Sequence, residues 1–122
     1  AVKETIESLT PEVVMANHRK QKQTVKCQAG KKMVVIYENG DVHPCESLTP
    51  KEKLGNLRDY QYDINKVLNS NHSQCVVKDI NPGKKCHCTW ENAIGVSMLY
   101  DKTMWWKMFV RWFSKFILKK AH

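Results

Sequence analysis

Residues 33–37, Met-Val-Val-Ile-Tyr, are apolar and rich in β-branched side chains, and they run straight into Glu38-Asn39-Gly40-Asp41. β-Branched and aromatic residues favour strands, and Asn-Gly supplies the positive φ angles that a tight hairpin turn demands. A two-residue type I′ turn at 39–40 is therefore expected. It pairs Glu38 with Asp41, Tyr37 with Val42, Ile36 with His43 and Val34 with Cys45, so Cys45 falls at the open end of the hairpin. Gly30, read as a turn residue, lets the chain double back before the first strand and brings Cys27 to the same end. The stretch 27–46, CQAGKKMVVIYENGDVHPCE, is thus predicted to present two thiols side by side.

The other three cysteines sharpen the question. Five is an odd number, so complete pairing within one chain is impossible, and Cys86-His87-Cys88 is too close-set for an ordinary bridge. A reduced protein using thiolates as ligands fits this pattern better than a secreted disulfide framework. Taken as chemistry alone, Cys27, Cys45, Cys86 and Cys88 make a four-thiolate set, with His43 and His87 as possible substitutes. Such a set satisfies either a structural zinc ion or an iron-sulfur cluster. Buried thiols without a metal are the plain alternative. Cys75 fits no part of the pattern and is read as a lone thiol.

At 122 residues the chain suits one hydrophobic core. Thr10-Pro11-Glu12 is a good helix start, predicting a helix over about 11–21. ESLTP occurs at 7–11 and again at 46–50, and both copies are read as Thr-Pro caps rather than as a repeat. A second amphipathic helix is expected over 59–69, with Tyr60, Ile64, Val67 and Leu68 on one face. A loop-rich stretch containing Asn81-Pro82-Gly83 follows it. In the last segment, 103–119, Lys107, Arg111, Lys115 and Lys119 recur every four residues, opposite Trp105, Phe109, Trp112, Phe113 and Phe116. That helix suits a membrane surface, but packing of its apolar face on this domain or on a missing neighbour is the favoured reading. The fold class expected is α+β: a small domain with a β-hairpin, short helices and a C-terminal amphipathic helix.

Lys and Arg number 20 against 12 Asp and Glu, a formal charge of +8. The balance permits an anionic partner without selecting one. Six of the cations lie between Arg19 and Lys32, with no aromatic residue interleaved for base stacking, so nucleic acid is not favoured. No run approaches the roughly 20 apolar residues of a spanning helix. The N-terminal AVKETIESLT has no initiator Met and no apolar core of a secretory signal. The chain is therefore expected to be processed or cut from something longer, and cytoplasmic, with peripheral membrane contact as a further option. GxSxG, HExxH, P-loop and GxGxxG motifs are absent. Asp41 and Glu91, the acids near the cysteines, are read as surface charges.

The spacing Cys27, twelve residues, Gly40, four residues, Cys45, the phrase NGDVHPC, and Leu54-Gly55-Asn56-Leu57 together resemble the SPASM or twitch domain found C-terminal in radical SAM enzymes. The resemblance covers about residues 25–92, leaving 1–24 as a helical lead-in and 93–122 as a C-terminal helix. It implies that Cys27 and Cys45 are ligands of an auxiliary 4Fe-4S cluster and that Cys86 and Cys88 complete it. A full SPASM domain holds two clusters with a Cys-x2-Cys-x5-Cys-x3-Cys run; Asn92 stands here where that run has a cysteine. One cluster is therefore expected. The Cys-x3-Cys-x2-Cys motif that binds the S-adenosylmethionine-cleaving cluster does not occur. The resemblance thus implies a partner barrel domain that supplies it, a peptide or protein as one substrate class, and electron transfer or substrate binding as the cluster's task. The reading from another class is a structural zinc module whose basic surface binds a partner or a membrane.

Overall fold

The computed structural model describes residues 2–48, 50–80 and 86–120, the side chains of 119 and 120 excepted. The predicted Asn81-Pro82-Gly83 loop lies outside those residues, as does Thr49 of the second Thr-Pro pair. The architecture is α+β, with five α-helices and a three-stranded antiparallel sheet among the described residues.

Helix α1 runs over Val2–Lys20, beginning nine residues before the expected Thr10-Pro11 start. Its buried residues Thr5, Leu9, Val13 and Asn17 recur every four positions, one stripe along the helix. Glu4 in the first turn and His18, Arg19 and Lys20 in the last complement the helix dipole. Pro11 lies inside the helix, where its missing N–H removes one ladder bond. The Thr10 hydroxyl does not cap; it donates to the Ile6 carbonyl one turn back at 2.8 Å. Burial of the stripe outweighs the cost of Pro11 and carries the helix upstream through the expected start.

The sheet has the order β1 (Val35–Ile36), β2 (Asp41–His43), β3 (Gly55–Asn56). The hairpin exists, but its register differs by one residue from expectation: Val35 pairs with His43 and Ile36 with Val42. Only Gly40 adopts a left-handed φ, +87°, while Asn39 does not. The Gly40 N–H closes on the Tyr37 carbonyl at 2.9 Å, and the Tyr37 N–H on the Asp41 carbonyl at 2.9 Å. The connection is therefore a three-residue loop with Gly at its left-handed position rather than a type I′ turn. Asn39 instead uses its side chain, whose oxygen accepts from the Asp41 N–H at 3.0 Å.

Strand β3 is the middle of the Leu54-Gly55-Asn56-Leu57 phrase, whose residues each have a structural role. Leu54 is fully buried. A Cβ on Gly55 would stand 3.2 Å from Val67 and 3.3 Å from Tyr60. The Asn56 side chain donates to the Asn39 carbonyl at 3.1 Å and to Asp41 at 2.9 Å, clasping the hairpin tip. Backbone bonds from Leu54 to Val42 and from Leu57 to Gly40, each 2.8 Å, complete the seam.

The helix expected over 59–69 is split. A 3-10 turn covers Leu57–Tyr60, Gln61 and Tyr62 take positive φ, and α2 spans Ile64–Asn69 with Asp63 capping its start. The following residues, expected as loop, form helix α3, Asn71–Ile80. Its buried Ser73, Val77 and Ile80 supply a helical stripe, and the Ser73 hydroxyl lies 2.9 Å and 2.6 Å from the Leu54 and Val67 carbonyls. Val42, Leu54, Val67 and Val77 make one core cluster under the sheet.

Helix α4, Glu91–Tyr100, was not anticipated, and α5, Lys102–Lys120, matches the expected C-terminal helix. Helices α1, α4 and α5 pack on one another. Their core joins Leu9, Val13 and Val25 to Ile94, Met98 and Met104. Of the four predicted site cysteines, Cys27 and Cys45 belong to a small third cluster and Cys88 packs against the helical core.

Candidate metal centre

Cys27 and Cys45 are both buried and share a cluster with Ala29, walled by Met33, Leu48 and Trp90. The route to this meeting is the one the hairpin predicted. Gly30 turns at φ +73°, its N–H bonding the Met33 carbonyl at 2.8 Å, so residues 27–29 run back beside the open end where Cys45 follows β2. A Cβ on Gly30 would stand 2.6 Å from Val77 and 3.3 Å from Pro44, so only glycine fits.

Cys86 and Cys88 arrive from the segment leading into α4 and are half-buried. Asn17, itself 2% exposed, fixes this segment: its amide nitrogen donates to the Cys88 carbonyl at 2.8 Å. Its oxygen accepts from both the N–H and the hydroxyl of Thr24, each at 2.7 Å, which holds the strand-like run into Cys27. One buried amide thus ties the two halves of the cysteine set to α1. Ser97 of α4 adds a second tie, accepting from the Gln28 N–H at 3.1 Å.

The four thiols lie within electrostatic reach of one another. Burial pushes the Cys45 thiol up, and charge on Cys86 and Cys27 pushes it further. Burial raises Cys86 too; the Gln23 amide opposes it and charge on Cys27 reinforces it. Cys88 is pushed up to about 11, chiefly by burial, with charge on all three other cysteines adding. A buried group of thiols of this kind resists ionisation unless a cation compensates it. N–H groups already point at sulfur: the Gln23 side chain donates to Cys86 at 3.1 Å, the Ala29 N–H donates to Cys27 at 3.4 Å, and backbone hydrogen bonds from Ser47 and Leu48 oppose the upward push on Cys45.

Among the described residues no three Cys, His, Asp or Glu side chains gather around a single metal-ion position. A polynuclear cluster asks for a wider arrangement, because each thiolate binds a separate iron. Four thiols from two chain regions, apolar walls and N–H donors to sulfur fit such a group.

The remaining candidates separate clearly. His43 is buried with its ring edge-on to Tyr37 at 5.1 Å, a packing role, and His87 is exposed. Cys75 is exposed on α3. Asn92 and Glu91 are exposed in the first turn of α4. Asp41 is held below the usual carboxylate range by hydrogen bonds from Asn56 and Lys53, so it serves the hairpin clasp. Asn17, Gln23 and Ser97 were not found from sequence. Nothing distinguishes them there, because their roles depend on α1 and α4 meeting the cysteine segments.

No curated protein and no solved structure matches the chain. A family model does match, over residues 27–89, from the first hairpin cysteine to just beyond Cys88, and its description is an iron-sulfur cluster-binding domain. That span takes in more than half of the 122 residues and all four thiols of the centre. The protein belongs to the SPASM family of iron-sulfur cluster-binding domains.

Proposed function

We propose that this chain is the auxiliary iron-sulfur module of a radical SAM enzyme, holding one 4Fe-4S cluster through Cys27, Cys45, Cys86 and Cys88. The observation that carries the reading is the meeting of two chain regions: Cys27 and Cys45 are buried in one cluster walled by Trp90 of the segment before α4, and Asn17 ties the Cys88 carbonyl of that segment to Thr24 in the run into Cys27. When bound, such a cluster passes electrons to or from a substrate radical or offers an iron to substrate. The chain's own residues do the rest. Met33, Leu48 and Trp90 exclude water from the sulfurs, while Gln23 and the Ala29 N–H stabilise negative charge on Cys86 and Cys27. Asn17 and Ser97 keep the two halves in register.

Within this reading residues 25–92 are the cluster-binding unit, with 1–24 and 93–122 as its helical support. The partner is a radical SAM barrel carrying Cys-x3-Cys-x2-Cys and binding S-adenosylmethionine. The substrate is a peptide or protein, and the setting is the reducing cytoplasm. The chain's net charge of +8 suits an acidic substrate surface.

Anaerobic reconstitution with iron and sulfide, followed by metal and sulfide analysis and an absorption spectrum, tests the centre. The expected product carries iron and sulfide in equal amounts with a sulfide-to-iron charge-transfer band. Changing any one of the four cysteines to Ser lowers the bound iron, and Cys75→Ser leaves it unchanged. Stoichiometric zinc without that band sinks the proposal in favour of a structural zinc module.

A further inference from the structure

Helix α5 is mounted with its aromatic side outward. Met104, 6% exposed, and Met108 one turn on pack into the α1/α4 core. The same line of the helix continues with Arg111, ion-paired with Glu12 of α1, and Lys115, whose ammonium donates to the Glu4 carbonyl at 3.2 Å. The cations that usually face water are therefore turned towards α1. Solvent meets Trp105, Trp106, Phe109, Val110, Phe113 and Ile117, with Trp106 70% exposed.

These rings form an ordered surface. Phe109 stacks with Trp106 at 6.0 Å and with Phe113 at 6.1 Å, and lies 6.2 Å from Trp112. Between α1 and α5 an apolar groove lined by Val2, Met108, Phe109 and Trp112 opens beside them. Exposed apolar surface on this scale marks an interaction site.

We propose that the outward face of α5 docks in the interface of an anionic lipid bilayer, with the helix lying flat and the iron-sulfur domain held above it. Charge selects this occupant. Residues 102–120 contain no Asp or Glu, and Lys102 and Lys107 stand exposed along the aromatic face and its border. Two copies meeting here would bring together like-charged edges of chains that each carry +8, whereas anionic headgroups complement them. Trp rings and Lys side chains both favour the headgroup region, and the apolar face enters the acyl boundary. No helix of the described residues is long and apolar enough to cross a membrane, so the contact is peripheral. The inference stands independently of the metal bound at the cysteines.

The test is flotation of the full chain with vesicles of phosphatidylcholine, alone or mixed with phosphatidylglycerol, alongside tryptophan emission and sedimentation equilibrium. The chain is expected to float with the mixed vesicles, its emission moving to shorter wavelength, and to bind pure phosphatidylcholine about tenfold more weakly. Trp106→Ala combined with Phe113→Ala is expected to weaken binding at least about tenfold with an unchanged circular dichroism spectrum. Lys107→Glu, a change at an exposed charge, weakens binding to the mixed vesicles without altering the apolar face. Equal binding by all variants, or a dimer in solution that ignores both vesicle types, overturns the proposal.

Discussion

Asn17 concentrates more of the site's structure than any cysteine. It is buried, serves three hydrogen bonds, and connects α1 to both the Thr24 and the Cys88 segments. Asn17→Ala leaves the Thr24 N–H and the Cys88 carbonyl without this partner, and an unsatisfied buried group costs about 1–3 kcal/mol. Urea denaturation of the metal-free chain is expected to show a loss of about 2 kcal/mol, and reconstitution is expected to retain less iron than wild type. A second residue-scale prediction concerns pH. Burial raises the Cys88 thiol from 9.0 to about 11, and Cys45 and Cys86 move the same way. The folded chain therefore holds these protons more tightly than the unfolded chain does. Stability from this source is complete below pH 9.0 and is lost as pH rises towards about 11. Urea midpoints of the metal-free protein measured across that window should fall, and Cys88→Ala should flatten the decline. The meeting of Cys27 with Cys45 at the open end of the hairpin was legible in the sequence, because turn residues and thiol spacing are local. Asn17 was not, since a buried Asn acquires its meaning only from partners 7 and 71 residues away.

Among the elements, the hairpin shows what a local signal specifies and what it leaves open. Asn39-Gly40 located the turn correctly, but a third strand decided its type. Asn56 presses its side-chain oxygen to 3.0 Å from where a Gly40 Cβ would be, and holds the Asn39 carbonyl from the other side. The register therefore belongs to a seam with residues 54–57, and a pairwise reading of two strands places it one residue off. Cys45 still reaches the open end, because a one-residue shift moves it along the strand by only about 3.4 Å. The misreading of Thr10-Pro11 as a helix start has the same origin: the cost of Pro11 inside a helix, about 3 kcal/mol, is outweighed by a buried stripe that the sequence shows only once α4 and α5 are known to cover it. Gly30 is the element-scale position most exposed to change. Its left-handed φ and the approach of Val77 and Pro44 both exclude a side chain. Gly30→Ala is expected to cost about 2 kcal/mol or more, from backbone strain and overpacking together. The variant should also lose iron loading in parallel with its urea midpoint, because the turn at Gly30 is what returns Cys27 to Cys45.

At the scale of the molecule, the helical unit and the hairpin unit each bury their own cluster, while Cys27 and Cys45 sit in a third and Cys88 lies against the helical one. The site is sensitive to how α1, α4 and α5 are assembled, because Cys88 packs against the cluster those helices share. The sequence revealed α5 as amphipathic from its four-residue repeat of cations. It did not reveal which side turns inward, because a basic stripe facing water and a basic stripe facing the acids of α1 give the same pattern. The structure selects the second through Arg111 and Glu12, with the two methionines of the same stripe packed into the core. That orientation is open to a direct comparison. Met104 fills a core shared with Leu9, Val13, Val25, Ile94 and Met98, so Met104→Ala leaves a cavity and should destabilise the chain by about 2–5 kcal/mol. Trp106, two residues on and far larger, packs on no core cluster of the described residues, and its removal should change stability by no more than about 0.5 kcal/mol. Urea unfolding of the two variants measures both. If Trp106→Ala were the costly change and Met104→Ala the neutral one, α5 would be turned the other way, its aromatic face would be core, and no lipid-binding surface would remain.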